Sequence, residues 1–469
     1  MGKRITCINY HGIMNEDIPL NYDHAPVITK EDYEGRLARL LEAASQYSHL
    51  LIYADKEHFS NLEYITGYDP RYEECMLLLK KGSRPWLLVG NEGMGQSQCI
   101  TIAHEKVLFQ SLSPMGQGRG KSRQLAEILK DYGMDGSACV GVLGWKSFSE
   151  QETEMPEHMF EIPAYIIGAL QKNGCGMENA NWLMMDNHRG LRTVNDVKTL
   201  ILSEIASTKA SRKTWDFVRG LREGMREIEA SQLFQIDGEP CPTYPNVCFY
   251  GKGILSPDYH RILKLGSPIA FGMGYRYAQI HRVGLYARSF EDLEEPYRDC
   301  MEELFATYFE AVAVWFEALG IGVTGGEVWS KVKNVIGSYE EFGIALNPGH
   351  LIHTEEWVNS PFVEDGTATL KSGMMIQCDF TARPASCMGL GVHMEDGLIL
   401  ADQRTRDEIR QLAPDSYRRM INRQRFMREV VGIRLRDEVL PTSDICGMMH
   451  PFFADLDCLV VRGKQEGDA

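Results

Sequence analysis

Apolar and polar positions follow two different periods along residues 31 to 190. In "YEGRLARLLEAASQY" the apolar residues recur at three- and four-residue spacing, which predicts a helix. The unbroken apolar run "HLLIYA" that follows predicts a buried strand. "CMLLLKKGSRPWLLVG" predicts two strands around a Gly-Ser-Arg-Pro turn, and "RQLAEILKDYG" a helix stopped by its glycine. Strands alternating with helices predict an α/β domain over residues 1–190. From Leu191 the pattern changes: "TVNDVKTLILSEIASTKASRKTWDFVRGLREG" is a long helical tract, and "MREIEASQLFQID" a second one. Strand-like segments follow from 245 to 290, including the Gly- and Tyr-rich "FGMGYRYAQIHRVGLYARSF". Then come the helical "EPYRDCMEELFATYFEAVAVWFEALG" and a helix opened by the capping-box pattern "TGGE". Strands and loops run to about 400, and an arginine-rich helical tail and the strand "LDCLVVRG" close the chain. This order predicts an α+β catalytic-type domain over 191–469, its tail packing on the body of the domain or on a second copy.

Composition narrows the classes of function. A chain of 469 residues is too long for one ordinary core. Acidic residues outnumber basic ones 65 to 49, and a formal charge of -16 argues against nucleic acid as the main partner. No run of apolar residues is long enough to span a bilayer, and "MGKRITCINYHG" does not read as a signal peptide. Gly2 and Thr6 match a short myristoylation pattern that nothing else in the sequence supports. The 12 cysteines form no CxxC pair and read as reduced thiols of a cytoplasmic protein. "MGQGRGKS" mimics a phosphate loop, but Met115 stands where the first glycine belongs, so it reads as an exposed basic loop.

"NLEYITGYDP", "LRTVNDVKTLILSEIASTKA", "LKLGSPIAFGMGYRY", "LKSGMMIQCDFTARP" and "GVHMEDGLIL", in this order and spacing, resemble the pita-bread hydrolases: aminopeptidase P, prolidase and creatinase. The resemblance covers most of residues 30 to 400. It implies a creatinase-type N-terminal domain, a pita-bread C-terminal domain carrying the site, and a homodimer. In the metal-dependent members it implies two divalent ions, held by two aspartates, one histidine and two glutamates, with a bridging water as nucleophile. Carried onto this chain, the first aspartate falls on Gly272 and the second on Leu285, or on Gly284 or Tyr286 with a shift of one. The histidine falls on His350, and the glutamates on Asp379 and Glu395. Both aspartates are missing, which removes two negative charges and the oxygens that would bridge two ions. One ion on His350, Asp379 and Glu395 is the metal site that remains. Creatinase, which has also lost the aspartates and works without metal, is the other precedent. Its histidine would fall near Leu255 or Ser256, and one of its glutamates aligns with Ala287, so its replacements are not shared.

The expectation is therefore a metal-independent, creatinase-like hydrolase of a C–N bond in a small-molecule substrate, with no cofactor. Its catalytic candidates are His350, Asp379, Glu395 and His281, a histidine acting as general base and the acids orienting substrate or balancing charge. Tyr275, Tyr277, Tyr286, Arg288, His353 and His393 are candidates for binding substrate, although an aromatic strand face also reads as core packing. His350 and His353, three apart, would face opposite sides of a strand, and His393 would share a face with Glu395. Glu355 and Glu356 read as solvated loop charges. Two alternatives stay open: a metallopeptidase of the aminopeptidase P or prolidase type with a reduced metal site, and an inactive dimeric binding protein on the same fold.

Overall fold

The computed structural model describes residues 4–250, 256–295 and 297–463. Gly2 and Leu255, singled out above, lie outside the described residues. The chain forms two compact units, one spanning Val27–Thr193 and the other joining Met1–Pro26 to Val194–Ala469. The first 26 residues thus belong with the C-terminal unit, unlike the division at 190/191 expected from the hydrophobic pattern. The reason is a set of long-range bonds. β1 (Cys7–Asn9) pairs antiparallel with β15 (Cys458–Val460), and the Arg212 guanidinium donates to the carbonyls of Asn15 and Ile18 at 2.8 and 2.7 Å. Cys7 and Cys458 are joined by a disulfide, so these two cysteines depart from the reduced-thiol expectation. No helix among the described residues is long and apolar enough to cross a membrane.

The N-terminal unit is built on a six-stranded sheet in the order β5-β4-β3-β2-β6-β7. These strands are β2 (His49–Ala54), β3 (Cys75–Leu79), β4 (Trp86–Val89), β5 (Glu105–Leu108), β6 (Cys139–Leu143) and β7 (Gly176–Asn179). Alternate residues enter separate cores, Leu50, Ile52, Leu77 and Leu79 in one, Leu51, Tyr53, Met76 and Leu78 in the other. Both faces are covered, which is why "HLLIYA" reads as one continuous apolar run. "MGQGRGKS" is a largely exposed loop.

The C-terminal unit holds a seven-stranded sheet in the order β11-β12-β13-β10-β9-β8, with β14 added to β13. Its strands are β8 (Asn246–Phe249), β9 (Ser267–Tyr275), β10 (Ala278–Tyr286), β11 (His350–Leu351), β12 (Met375–Cys378), β13 (His393–Leu400) and β14 (Val439–Pro441). A two-residue turn, Arg276-Tyr277, joins β9 to β10, and Tyr277 takes the left-handed conformation (φ 74°). Phe271, Met273, Tyr275, Ile280 and Tyr286 share a core with Trp215 and Phe217 of the Val197–Gly220 helix. The alternation of side chains then turns Gly272 and His281 to the opposite face. The Tyr297–Ala318 helix packs against Phe380, whose ring lies 5.1 Å from that of Tyr308 and which alternates with Asp379. The Tyr308 hydroxyl donates to the Phe380 carbonyl (2.8 Å) and accepts from the Met394 N–H (2.9 Å), fixing the helix to the two strands that carry the site.

The arginine-rich tail packs back on the body of the unit. Glu204, fully buried on the 197–220 helix, accepts from Arg419 (2.6 and 2.8 Å) and Arg423 (2.8 Å), and Arg423 continues to Asp444 (2.7 Å). Burial alone would raise the Glu204 carboxyl, but Arg423 and Arg419 outweigh it and hold the group below the usual carboxylate range. A depressed folded pKa stabilises the fold above the ordinary glutamate value, and that stability is lost as pH falls through it. Glu204→Gln leaves buried Arg419 without its anion and Arg423 with Asp444 alone, an arrangement that costs about 3–5 kcal/mol. Urea unfolding at pH 7 is expected to show a loss of that size, with the gap between variant and wild type closing in acid.

Candidate functional site

The register of the sheet sets the site. On β10 and β13, His281 lies directly opposite Glu395, and on β9 His281 lies opposite Gly272. Cys378 pairs with Asp396 on β12 and β13, so Asp379, one residue on, emerges beside Glu395. His350 pairs with Gln377. The row thereby gathers imidazoles and carboxylates from four strands onto one face.

Arg282 locks this register from the other face. Its guanidinium, with the side chain 7% exposed, donates to the carbonyls of His281 (3.0 Å) and Glu395 (2.6 Å), to both Asp396 oxygens (2.9 and 3.0 Å) and to the Ile445 carbonyl (3.1 Å).

Four side chains converge. His350, Glu356, Asp379 and Glu395 each offer one ligand atom, and these atoms all lie within 4.8 Å of one another. His350 Nε2 stands 3.4 Å from both Glu356 Oε1 and Asp379 Oδ2. Glu356 arrives because the chain after β11 folds back: Leu351 N donates to the Asn359 carbonyl (2.7 Å) and Val358 N to the Leu351 carbonyl (2.9 Å). The returning loop also stacks Trp357 on the His350 ring, with centroids 4.2 Å apart. Glu356 is therefore not the solvated loop charge expected from the sequence. Gly349, at φ 127°, makes the turn into β11, where a Cβ would meet the Gln377 carbonyl at 2.5 Å.

A second pair of imidazoles adjoins the first group. His281 Nδ1 and His393 Nδ1 are 2.7 Å apart, and His393 Nε2 lies 2.8 Å from Asp379 Oδ1. Only one proton fits between two ring nitrogens. With His281 donating, His393 can present its other N–H to Asp379, and no lone pairs oppose each other. His281 Nε2 is then the bare nitrogen, and it makes no hydrogen bond among the described residues.

The electrostatics of the carboxylates diverge. Burial would raise Asp379, yet His350 and His393 hold it far below the usual range. Burial, reinforced by Asp379 and Glu356, pushes Glu395 well above the usual range. Burial also raises Glu356. His350 is buried as well, but Asp379 and Glu356 outweigh that and raise its pKa. Burial and the neighbouring His393 depress His281 strongly.

The sequence candidates separate cleanly. His350, Asp379, Glu395, His281 and His393 come together, the last touching Asp379 rather than standing apart as a substrate contact. Tyr275 and Tyr286 sit in the core on the opposite face. Arg288 is solvent-exposed and paired with Asp292 at 2.8 Å, away from the cluster. His353 is buried edge-on against Tyr277 at the hairpin turn, with centroids 5.2 Å apart, and is not one of the four converging groups. Leu285, expected to replace the second aspartate, is paired with Pro268, and its neighbours Gly284 and Tyr286 with Ile269 and Ser267. The β10 residue that reaches the acids is His281. Ser256 is exposed, whereas Ala287 is buried.

No family model and no curated protein matches the sequence. Solved structures do. The prolidase from Pyrococcus horikoshii superimposes with a TM-score of 0.59 at 16% identity, covering 78% of this chain and 95% of its own. The X-Pro aminopeptidase from Thermotoga maritima gives 0.58 at 15% identity, covering 78% and 95%. A putative aminopeptidase P from Bacillus anthracis gives 0.57 at 12%, covering 84% and 99%. The chain has the pita-bread fold. At these identities the likeness speaks for architecture alone, and the site has to be judged on its own residues.

Judged so, the pita-bread site of this chain does not fit a two-ion centre. A Cβ at Gly272 would meet the Ile280 carbonyl at 2.6 Å and His281 Cδ2 at 2.7 Å, so no aspartate enters there without displacing backbone. The residues do fit a single ion. His350 Nδ1 donates to the Leu351 carbonyl (3.2 Å), which directs the Nε2 lone pair of the neutral ring at the carboxylates. Imidazole 15N spectra offer a direct check on these assignments: His281 should stay neutral through the range near pH 6.5 in which exposed histidines titrate.

Proposed function

We propose that this chain is a hydrolase that cleaves a C–N bond in a small, peptide-like substrate, assisted by one divalent ion. The observation that carries the proposal is the convergence of a buried imidazole nitrogen and three carboxylates on one face of the sheet. Supporting it, the structural neighbours bear the names prolidase, Xaa-Pro dipeptidase and X-Pro aminopeptidase. His350, Asp379 and Glu395 would hold the ion, which supplies Lewis acidity toward the scissile carbonyl and acidifies water. The remaining residues orient this set. Gln377 lies 3.3 Å from Glu395, His393 faces the second Asp379 oxygen, and Trp357 fixes the plane of the His350 ring. Glu356, with its side chain 28% exposed, is the most open of the four and marks the side from which substrate enters. A cytoplasmic homodimer belongs to the same proposal.

One observation favours a second, metal-independent form. Two neighbouring carboxyls are driven apart: the His350 and His393 imidazoles hold Asp379 low, while burial beside Asp379 and Glu356 pushes Glu395 up, the kind of division by which a site separates an acid from an anion. In that form Glu395 protonates the leaving nitrogen, and His350 or His281 takes the proton from water. The inactive binding protein is the rival to both forms.

Turnover of Xaa-Pro dipeptides, N-methyl amino acids and guanidino acids, before and after chelation, separates the three. Loss of activity on chelation and recovery on adding Mn2+ or Co2+ is the expected result, and full activity in chelator selects the metal-independent form. His350→Ala is expected to lower kcat/KM about 100-fold or more on either catalytic form. An unchanged rate would remove this site from catalysis.

A further inference from the structure

We propose that the centre is mononuclear, with Glu356 as a fourth ligand that replaces the carboxylates lost from β9 and β10, and with the His281–His393 pair closing the space to a second ion. The inference rests on the ion-assisted form above and goes beyond it in naming Glu356 and the count of one.

His350 supplies the observation independent of the acids. It is fully buried, its Nδ1 is spent on the Leu351 carbonyl, and its Nε2 points into the carboxylates without a hydrogen-bond partner among the described residues. At 3.4 Å from two oxygens it is too far for a good hydrogen bond to either. The same spacing suits ligands of a common ion. Two atoms each ~2.1 Å from a metal and roughly tetrahedrally disposed are ~3.4 Å apart. Glu356 meets that condition toward Nε2 as closely as Asp379 does.

A second ion would need bridging carboxylates and further ligands on the adjacent strands, as paired-ion sites have. The next positions along the row are His281 and Gly272. His281 has its Nδ1 committed to His393 at 2.7 Å and leaves only Nε2, a single nitrogen that brings neither charge nor a bridging oxygen, and Gly272 offers no side chain and no room for one. Three carboxylates around one imidazole make a hard, anionic set suited to Mn2+, Co2+ or Zn2+.

The test uses the full chain stripped of metal and titrated with Mn2+ and Co2+ by calorimetry, with bound metal counted by elemental analysis. The expected result is one ion per chain, affinity weakened about tenfold or more by Glu356→Gln, and no change with Glu355→Gln. Thermal melts of the apo variants confirm that both fold. Two ions per chain overturn the count, and an unaltered affinity in Glu356→Gln overturns its assignment as a ligand, while either result leaves the ion-assisted hydrolase standing. No binding in the wild type overturns this inference together with the ion-assisted form. Turnover in chelator then decides whether the metal-independent hydrolase survives.

Discussion

The arrangement depends on one buried cation, Arg282. A guanidinium removed from water is costly unless its donors are matched, and here they meet two backbone carbonyls on neighbouring strands, a carboxylate and a third carbonyl from the 442–449 segment. The two strand carbonyls belong to His281 and Glu395. A slip of one residue between β10 and β13 would move every donor off its partner and turn those two side chains away from the site. The charge under the sheet and the chemistry above it are therefore one structure seen from two faces. Asp396, which balances Arg282, is itself secured by Ser443 and Gly447.

The C-terminal tail extends the same logic. Asp444 neighbours the Ile445 carbonyl that Arg282 grips, and it collects Arg212, Arg423 and the Asn15 side chain. Through Arg423 it is tied to Glu204 on the 197–220 helix. Cations and anions thus alternate from the first residues of the chain, through the tail, to the back of the site. None of these groups is among the four converging side chains, yet they fix the strands that carry them.

Much of this was legible in the sequence, for definable reasons. Long periodic segments announced themselves: the 197–220 helix, the Thr324 capping box and the two-faced strands of the N-terminal sheet all follow from spacing and local chemistry. His350, Asp379 and Glu395 could be located because they sit in ordered motifs. The failures share a cause in three-dimensional register. Linear alignment along the sequence puts the second ligand position at Leu285, whereas cross-strand pairing opposite Gly272 selects His281. Tyr275 and Tyr286 looked like pocket residues, but the parity of their positions sends them into the core. Glu356 was passed over because a glutamate pair in a polar loop usually is solvated. Only the return of residue 359 onto residue 351 brings it to His350, and a bond between those two is not visible in composition or period. The Cys7–Cys458 bridge, spanning nearly the whole chain, is equally invisible to spacing.

The glycine on β9 and the glutamate of the loop after β11 are connected through space. The His281 ring packs against Gly272, and that ring in turn hydrogen-bonds His393, which faces Asp379. The imidazole pair cannot replace the departed carboxylates, because His281 is driven neutral by burial and supplies no negative charge. Among the described residues, the further carboxylate beside His350 comes from the 352–358 loop, as Glu356. Glu356 stands 3.4 Å from His350 Nε2 with 28% of its side chain exposed, against 11% for Asp379. On the proposed reading, the carboxylate that the central strand does not supply at Gly272 is supplied by Glu356 of the loop after β11.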